Sequence, residues 1–145
     1  MIRFRCLQEH DHRALFHGKY MTLEGDAPRM FNVGAVHEAA DEIHICEGEL
    51  DAVILRMLGL YAVAIPGAKL WFARHRRMLA GFSRVYVWGD PDDAGAEFVS
   101  KVTRSLRTAK GVRLSPQIGD VTDTYLAGGR DAIFDAFKPK ELVAA

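Results

Sequence analysis

The sequence has little cysteine, no net charge and no long apolar run. Its 145 residues include only two cysteines, Cys6 and Cys46, too few for a disulfide framework or a cysteine-rich zinc module, and a reducing cytoplasm is the expected location. No apolar run approaches the roughly 20 residues of a membrane-spanning helix, and the charged first residues do not look like a signal peptide. We therefore expect a cytoplasmic globular domain without membrane contact.

The balanced charge hides an uneven distribution along the chain. Residues 1–68 carry 6 basic and 10 acidic side chains, whereas residues 69–113 carry 10 basic and 4 acidic ones. Acidic side chains that gather metal ions beside a phosphate-binding surface would give such a pattern, and so would a well-mixed surface. The distribution is compatible with nucleic-acid chemistry and does not decide it.

Apolar strands and amphipathic helices alternate from about residue 41. We predict strands at Glu42–Cys46, 60–65, Arg84–Trp88 and 112–115, and helices at 48–59, 69–80, 93–110 and 131–137. Strands that alternate with helices of this length pair in parallel through right-handed crossovers. The expected fold class is α/β, with a Rossmann-like parallel sheet flanked by helices on both faces.

The first 36 residues lack this periodicity. They combine turn-forming residues with scattered apolar ones, and we expect short strands at 20–23 and 29–33. The predicted organisation is a small irregular N-terminal subdomain at residues 1–36, followed by the α/β domain at residues 37–145.

Carboxylates follow three of the predicted strands. They are Glu47 and Asp51 after the first, Asp90 and Asp92 after the third, and Asp120 and Asp123 after the fourth. Ligands bind beyond the carboxyl ends of strands in open parallel sheets, and hard oxygen donors suit Mg²⁺ or Mn²⁺. Each acidic loop alone is more often a helix cap than a ligand, but three at successive strand ends favour a metal site.

These residues resemble the motifs of the TOPRIM family. Residues 43–52 form an apolar strand followed by Glu47-Gly48 and then by Asp51-Ala52, and residues 90–95 match the pattern Asp-x-Asp-x-x-Gly. Pro66-Gly67 stands where that family has a turn after the second strand. The resemblance covers about residues 40–137 and implies the compact α/β fold shared by primases, topoisomerases and OLD-type nucleases.

The resemblance also implies roles for the acidic residues. Glu47 would act as general acid/base or metal ligand, and Asp90 and Asp92 would coordinate Mg²⁺. Asp51 would support this cluster, while Asp120 or Asp123 would complete it.

Within that family, the chain is most similar to bacterial and bacteriophage DNA primases. The segment 92–95, the segment 123–129 and the N-terminal stretches 16–20 and 28–32 carry this similarity. It implies a nucleotidyltransferase core that synthesises RNA primers from NTPs on single-stranded DNA. A zinc-binding module or a replicative helicase, both common in full primases, would act in trans.

Basic residues supply candidate contacts to the nucleic acid or the nucleotide. Four of them surround two aromatic residues, and two more lie in the N-terminal subdomain: Lys69, Arg74, Arg76, Arg77, Lys19 and Arg29. Basic side chains next to aromatic rings are typical of single-strand binding surfaces, although exposed basic residues also occur on any solvated helix.

A zinc site is not expected from the sequence. Cys6, His10 and His12 invite the idea, but one sulfur at this spacing matches no standard site, so we interpret the histidines as solvated loop residues. Two alternatives to a primase remain open: a TOPRIM-type metal-dependent nuclease, and a non-catalytic module that binds DNA or a partner protein. A topoisomerase is set aside, because no tyrosine can be assigned as its nucleophile.

Overall fold

The computed structural model describes residues 2–27 and 29–137. Met1, Pro28 and residues 138–145 lie outside the described residues. The first residue of the predicted N-terminal subdomain, the last residues of the predicted α/β domain and the first residue of the stretch 28–32 therefore lie outside them as well. Strands are β1 (Arg3–Arg5), β2 (Tyr20–Thr22), β3 (Glu42–Cys46), β4 (Ala62–Ala64), β5 (Arg84–Trp88) and β6 (Ala109–Val112). Helices are α1 (Ala35–Glu38), α2 (Glu49–Met57), α3 (Ala73–Leu79), α4 (Asp93–Ser105) and α5 (Val121–Phe137).

Four strands form one parallel sheet in the order β4-β3-β5-β6. After their charged first residues, Glu42 and Arg84, the central strands β3 and β5 are mainly apolar and aromatic and largely withdrawn from solvent, and β4 is entirely buried. Continuous apolar strands of this kind need cover on both faces. The predicted α/β class with a parallel sheet flanked by helices is confirmed.

Two apolar clusters lie on opposite faces of the sheet. On one face Ile45 and Val87 pack with Phe98 of α4 and with residues of α1 and α3. On the other, Trp88 packs with Leu55 of α2 and with α5. Because successive side chains of a strand point to opposite faces, neighbouring residues of β3 and β5 belong to different clusters.

A buried histidine spans the second face. The His44 Nδ1 accepts a hydrogen bond of 2.9 Å from the indole Nε1–H of Trp88, and both side chains are shielded from solvent. A buried polar side chain is stable when it is hydrogen-bonded in this way. The contact ties the middle of β3 to Trp88, the last residue of β5.

Several predicted elements are shifted or wrong. Residues 29–33 form no strand, because only Phe31 pairs, in a single bridge to Ala64. The helix expected at 69–80 is a 3₁₀ turn (Ala68–Leu70) followed by α3, since Trp71 is extended and donates its indole N–H to Ser105.

The last sheet strand lies at Ala109–Val112 rather than 112–115, so the predicted helix 93–110 ends early, at Ser105. The final helix begins at Val121 and has a non-helical residue, Gly129, at φ 64°. Among the described residues, no helix is both long and apolar enough to cross a membrane.

The N-terminal region forms a small antiparallel ladder of β1 and β2, with residues 6–19 as the connecting loop. Both strands are three residues long and mostly exposed. Arg3 pairs with Glu49 at the start of α2, which joins the ladder to the sheet domain. This contact places the ladder beside the carboxyl ends of the sheet strands.

Candidate active site

The candidate site lies where the chain changes direction in the sheet. From β3 the chain passes to β4 at one edge, and then crosses to β5 on the other side of β3. The loops that follow β3 and β5 therefore diverge and leave a crevice, which is the usual ligand position in open α/β sheets. Here the crevice is a cleft of about 450 Å³.

Glu47 follows β3 directly and lines this cleft. Its Oε2 atom is buried and has no hydrogen-bond partner among the described residues. Burial, together with the nearby negative charge of Asp90, raises the pKa of Glu47 to about 7. A carboxylate oxygen withdrawn from water without a donor is costly, so this atom is suited to a cation or a proton.

Asp90 stands two residues after β5 and faces the same cleft. Burial raises its pKa, and the negative charges of Asp120 and Asp92 raise it further. Two glycines allow the loop to pack this closely. A Cβ on Gly89 would collide with the Gly95 carbonyl oxygen, and one on Gly95 would collide with the backbone of Asp90.

Asp51 is buried one turn into α2 and holds the start of α5. Its Oδ1 accepts hydrogen bonds from the Thr122 backbone N–H at 3.1 Å and from the Thr122 hydroxyl at 2.9 Å. Burial and the charge of Asp120 nevertheless raise the pKa of Asp51 to about 6. The side chain thus joins two elements of the site and keeps its second oxygen at the cleft.

Two of the remaining three carboxylates, Asp92 and Asp120, cap the starts of helices, and Asp123 lies in the first turn of α5. Asp92 caps α4 by accepting from the Gly95 N–H at 2.8 Å, and Asp120 accepts from the Asp123 N–H at 2.8 Å at the start of α5. Asp120 and Asp123 line the cleft together with Glu47 and Asp90, whereas Asp92 lies at its outer side and acts on Glu47 through its charge. Capping uses one oxygen of each carboxylate and leaves the other.

Basic side chains of the N-terminal region line the same cleft. These residues, Arg3, Arg5 and Lys19, are called the basic wall below. The guanidinium carbons of Arg3 and Arg5 lie 5.1 and 5.6 Å from the ring centroid of Tyr20, which also lines the cleft. A cleft lined by both acids and cations can hold a metal–phosphate group and an anionic backbone at the same time.

Of the basic residues predicted from the sequence, only Lys19 lines this cleft among the described residues. Arg29 lies near Asp26, the Arg76 Nε–H donates to the Ser105 carbonyl oxygen at 2.9 Å, and Arg74 stacks on Phe72. Lys69 and Arg77 lie in the 3₁₀ turn and in α3, outside the cleft lining.

Sequence reasoning missed Arg3 and Arg5. The only pattern in the sequence that could have indicated them is the alternation of side chains along a strand, which places Arg3 and Arg5 on the same side of β1. A strand of three residues is too short for this two-residue period to be recognised. It also missed His17, which the loop 6–19 brings together with Cys6, His10 and His12.

The family of the chain is shown by a related protein, since no family model matches the sequence. The Gene 57 protein of Mycobacterium phage D29 is 33% identical over 117 residues, which are 81% of this chain and 76% of that protein. The chain belongs to the family of this phage protein. That name states no activity.

Two solved structures share the fold. The primase fragment of the bacteriophage T7 primase-helicase protein superimposes with a TM-score of 0.59 at 21% identity, covering 67% of this chain and 44% of that one. A structure of the T7 lagging-strand DNA polymerase, interacting with primase domains of two gp4 subunits bound to an RNA/DNA hybrid and dTTP, gives a TM-score of 0.52 at 20% identity, covering 66% of this chain and 53% of that one. The chain therefore has a primase-like fold and spans about half the length of these solved chains.

Proposed function

We propose that this chain is the TOPRIM-type catalytic core of a DNA primase, which synthesises RNA primers from NTPs on single-stranded DNA with Mg²⁺ or Mn²⁺. The observation that carries the proposal is the mixed lining of one cleft: the buried Oε2 of Glu47, which has no hydrogen-bond partner among the described residues, and the carboxylate of Asp90 lie in the same cleft as the basic wall. The primase-like fold supports it. A replicative helicase or a zinc-binding module would act as a partner in trans.

The acidic residues fit a hard divalent cation. All their free donors are oxygens, and the raised pKa values of Glu47, Asp51 and Asp90 reflect burial first and then the negative charge of neighbouring carboxylates, both of which a bound cation would offset. Glu47 and Asp90 would hold the ion, with Asp92, Asp120 or Asp123 completing the set directly or through water. When bound, the ion would stabilise the negative charge of the transferring phosphoryl group.

The basic wall would bind the phosphates. Arg5 and Lys19 are exposed at the cleft, and their charges would orient the triphosphate or the template backbone toward the carboxylates. Arg3 pairs with Glu49 and would hold the wall in position. In this arrangement binding and orientation come from the ladder, and charge compensation comes from the sheet edge.

Glu47 would also act as the general base. Its pKa is about 7 without metal, and a bound cation would lower this pKa and keep the carboxylate ionised, which is the form that accepts a proton. The proton of the primer 3′-hydroxyl must leave as the new bond to phosphorus forms. The Glu47 carboxylate would accept it directly or through a bound water.

The test is incorporation of labelled NTPs on single-stranded DNA with Mg²⁺ or Mn²⁺. We expect template-dependent oligomers from the wild type and a loss of at least about 100-fold in Asp90→Asn, which keeps the shape of the side chain and removes its charge. Asp131→Asn is the matched control, because Asp131 is an exposed aspartate on α5 outside the cleft lining. It should retain full activity.

Other outcomes would redirect the proposal. Cleavage of the DNA in a lane without NTPs, lost in Asp90→Asn, would indicate a TOPRIM-type nuclease, in which water attacks instead of a nucleotide. DNA binding without turnover, unchanged by Asp90→Asn and by removal of metal, would indicate a non-catalytic module that binds DNA or a partner.

A further inference from the structure

A second cluster of potential ligands lies in the loop between β1 and β2, outside the cleft. It consists of one sulfur and three imidazoles, Cys6, His10, His12 and His17, and is called the Cys–His cluster below. One donor atom from each residue lies within 4.8 Å of all the others, and each residue is half-buried. We propose that the Cys–His cluster binds one zinc ion and thereby holds the loop and its two strands together.

The separations match a four-coordinate site. The Nε2 atom of His10 lies 3.1 Å from His17 Nε2, 3.1 Å from His12 Nδ1 and 3.9 Å from Cys6 Sγ. Zn–N bonds near 2.0–2.1 Å and a Zn–S bond near 2.3 Å, at tetrahedral angles, put nitrogens about 3.3 Å apart and sulfur about 3.6 Å from nitrogen. The three separations from His10 therefore lie within a few tenths of an ångström of those of a zinc site, and the remaining pairs of donor atoms lie within 4.8 Å of one another.

Hydrogen bonds among the three imidazoles account for the close approach of their nitrogen atoms less well than a bound cation does. The His17 Nδ1 lies 3.0 Å from the Gly18 carbonyl oxygen, which only accepts, so Nδ1 carries the proton and Nε2 points a lone pair at His10. One proton on His10 Nε2 then has to serve His17 and His12 at once. A cation among them accepts every lone pair, and the Nδ1–H bond to Gly18 is the outer contact that orients a metal-bound histidine.

The donor set of the Cys–His cluster suits zinc. Neutral imidazole and thiolate are the forms that bind metal, so zinc binding would release the proton of the Cys6 thiol to solvent. Three nitrogens and one sulfur are a typical zinc donor set, and four protein ligands leave no open position, which is the pattern of a structural site.

The loop has no other strong source of order. Its large apolar residues face solvent: Leu7 is 86% exposed and Phe16 is 98% exposed. A two-stranded ladder of three residues per strand is marginal without further support. Cys6 directly follows Arg5, and its N–H donates to the Lys19 carbonyl oxygen at 2.9 Å, so a metal here fixes the ends of both strands.

The place of the Cys–His cluster beside the basic wall has a consequence for the candidate active site, and this consequence rests on the proposed function. Arg5 and Lys19 belong to the basic wall and border the Cys–His cluster along the chain. Zinc would keep them directed at the carboxylates of the sheet edge. The proposal reverses the expectation from sequence spacing, because that expectation did not include the fourth ligand, His17.

The first test measures zinc in the full-length protein, purified without a histidine tag and dialysed against excess Mg²⁺. We expect about one zinc per chain, and a loss of at least tenfold in retained zinc, a rough expectation, for Cys6→Ser and for His17→Ala. His37→Ala is the matched control, since His37 is an exposed histidine in α1, and it should keep its zinc. Zinc content that is unchanged in Cys6→Ser and His17→Ala would overturn the proposal.

The second test uses Co²⁺ in place of zinc, which reports geometry even if a variant folds poorly. The wild type should show the strong visible absorption of four-coordinate cobalt, with a sulfur-to-cobalt charge-transfer band. A weak spectrum of six-coordinate cobalt would contradict the proposal. Loss of the strong spectrum in Asp90→Asn would equally contradict it, because the metal would then lie in the cleft.

These measurements separate the two proposals. Stoichiometric zinc with no NTP incorporation would support the zinc site and count against the primase core. Incorporation by a zinc-free protein, with unchanged metal content in Cys6→Ser, would do the reverse.

Discussion

The sheet domain and the N-terminal ladder are stabilised in opposite ways. In the sheet, Ile45, Val87 and Phe98 are fully buried, and two apolar clusters cover both faces. In the ladder, most residues of both strands are exposed, and the loop residue Phe16 is 98% exposed. Burial of apolar surface is the main stabilising contribution to a folded domain, so the sheet can fold from its own residues.

The difference indicates a division of labour at the cleft. The sheet edge supplies carboxylates whose pKa values are raised by burial and, to a smaller extent, by one another's charge, as at Glu47 and Asp51. The ladder supplies cations from an element with little apolar support. The acidic sheet edge and the weakly supported basic wall should respond differently to mutation, metal and pH.

Truncating a large aromatic residue in each region should give the largest contrast. Phe98→Ala removes a fully buried side chain between α4 and the sheet and should lower the free energy of unfolding by about 3–5 kcal/mol. Phe16→Ala should change it by less than about 0.5 kcal/mol. Urea denaturation followed by far-UV circular dichroism measures both. A similar loss in Phe16→Ala would show that the loop is buried in solution.

Removing zinc should affect only the ladder. With a zinc-selective chelator and no Mg²⁺, we expect chymotrypsin to cleave after Phe16 about 30-fold faster, which corresponds to about 2 kcal/mol of lost local stability. The unfolding of the sheet domain should stay unchanged. The Cys6→Ser variant should be cleaved at the faster rate without chelator, and a chelator effect that persists in this variant would point to another metal site.

Raising the pH should destabilise the metal-free sheet edge. The folded-state pKa of Glu47, about 7, lies above its ordinary value of 4.5, so the folded protein holds this proton more tightly than the unfolded chain. Stability should therefore fall as pH rises from about 4.5 to 7 and then level off. After allowance for solvent screening, the Glu47 contribution is about 1–2 kcal/mol.

The Glu47→Gln variant isolates this contribution. Glutamine cannot ionise, so the variant should be more stable than the wild type at pH 8 and should show a flatter stability profile. Mg²⁺ should stabilise the wild type more at pH 8 than at pH 5.5, and should stabilise the variant less. Thermal unfolding at several pH values is the measurement, and equal profiles for the two proteins would exclude Glu47 as the titrating group.

The same contrast explains what could be predicted from the sequence. Glu42–Cys46 and Arg84–Trp88 were predicted with the bounds that the structure has, because apolar, β-branched and aromatic residues dominate both strands. The meeting of Glu47 and Asp90 at one edge followed from parallel pairing. Their catalytic and metal-binding roles stay predictions.

Only part of the ladder was predicted from the sequence: the strand expected at 20–23 is present as β2 (Tyr20–Thr22), whereas β1 and the pairing of the two strands were missed. The strand β1 has three residues, and its pairing with β2 across the loop 6–19 leaves no periodic signal. The wrong strand at 29–33 and the shifted β6 have the same origin, since tertiary pairing decides where short strands form. Three members of the Cys–His cluster, Cys6, His10 and His12, were noticed in the sequence but interpreted as solvated residues, because their spacing matches no standard site and His17 was not included.

The smallest expected effect concerns the path of the nucleic acid, and it compares two basic surfaces. Arg5→Ala and Lys19→Ala alter the basic wall at the cleft, whereas Arg77→Ala alters the exposed face of α3 that the sequence also suggested. Each lost phosphate contact should lower the slope of log affinity against log salt concentration by about 0.7 for a single strand. Fluorescence anisotropy with labelled single-stranded DNA measures this slope.

We expect the slope to fall in Arg5→Ala and Lys19→Ala and to stay unchanged in Arg77→Ala. The physical reason is position: a phosphate bound by the basic wall lies in the same cleft as Glu47 and Asp90, whereas α3 covers the sheet face that carries Ile45 and Val87. A decrease in Arg77→Ala alone would place the template along α3. In that case the basic wall would serve the nucleotide rather than the template, because its cations would still share the cleft with the carboxylates without contacting the DNA strand.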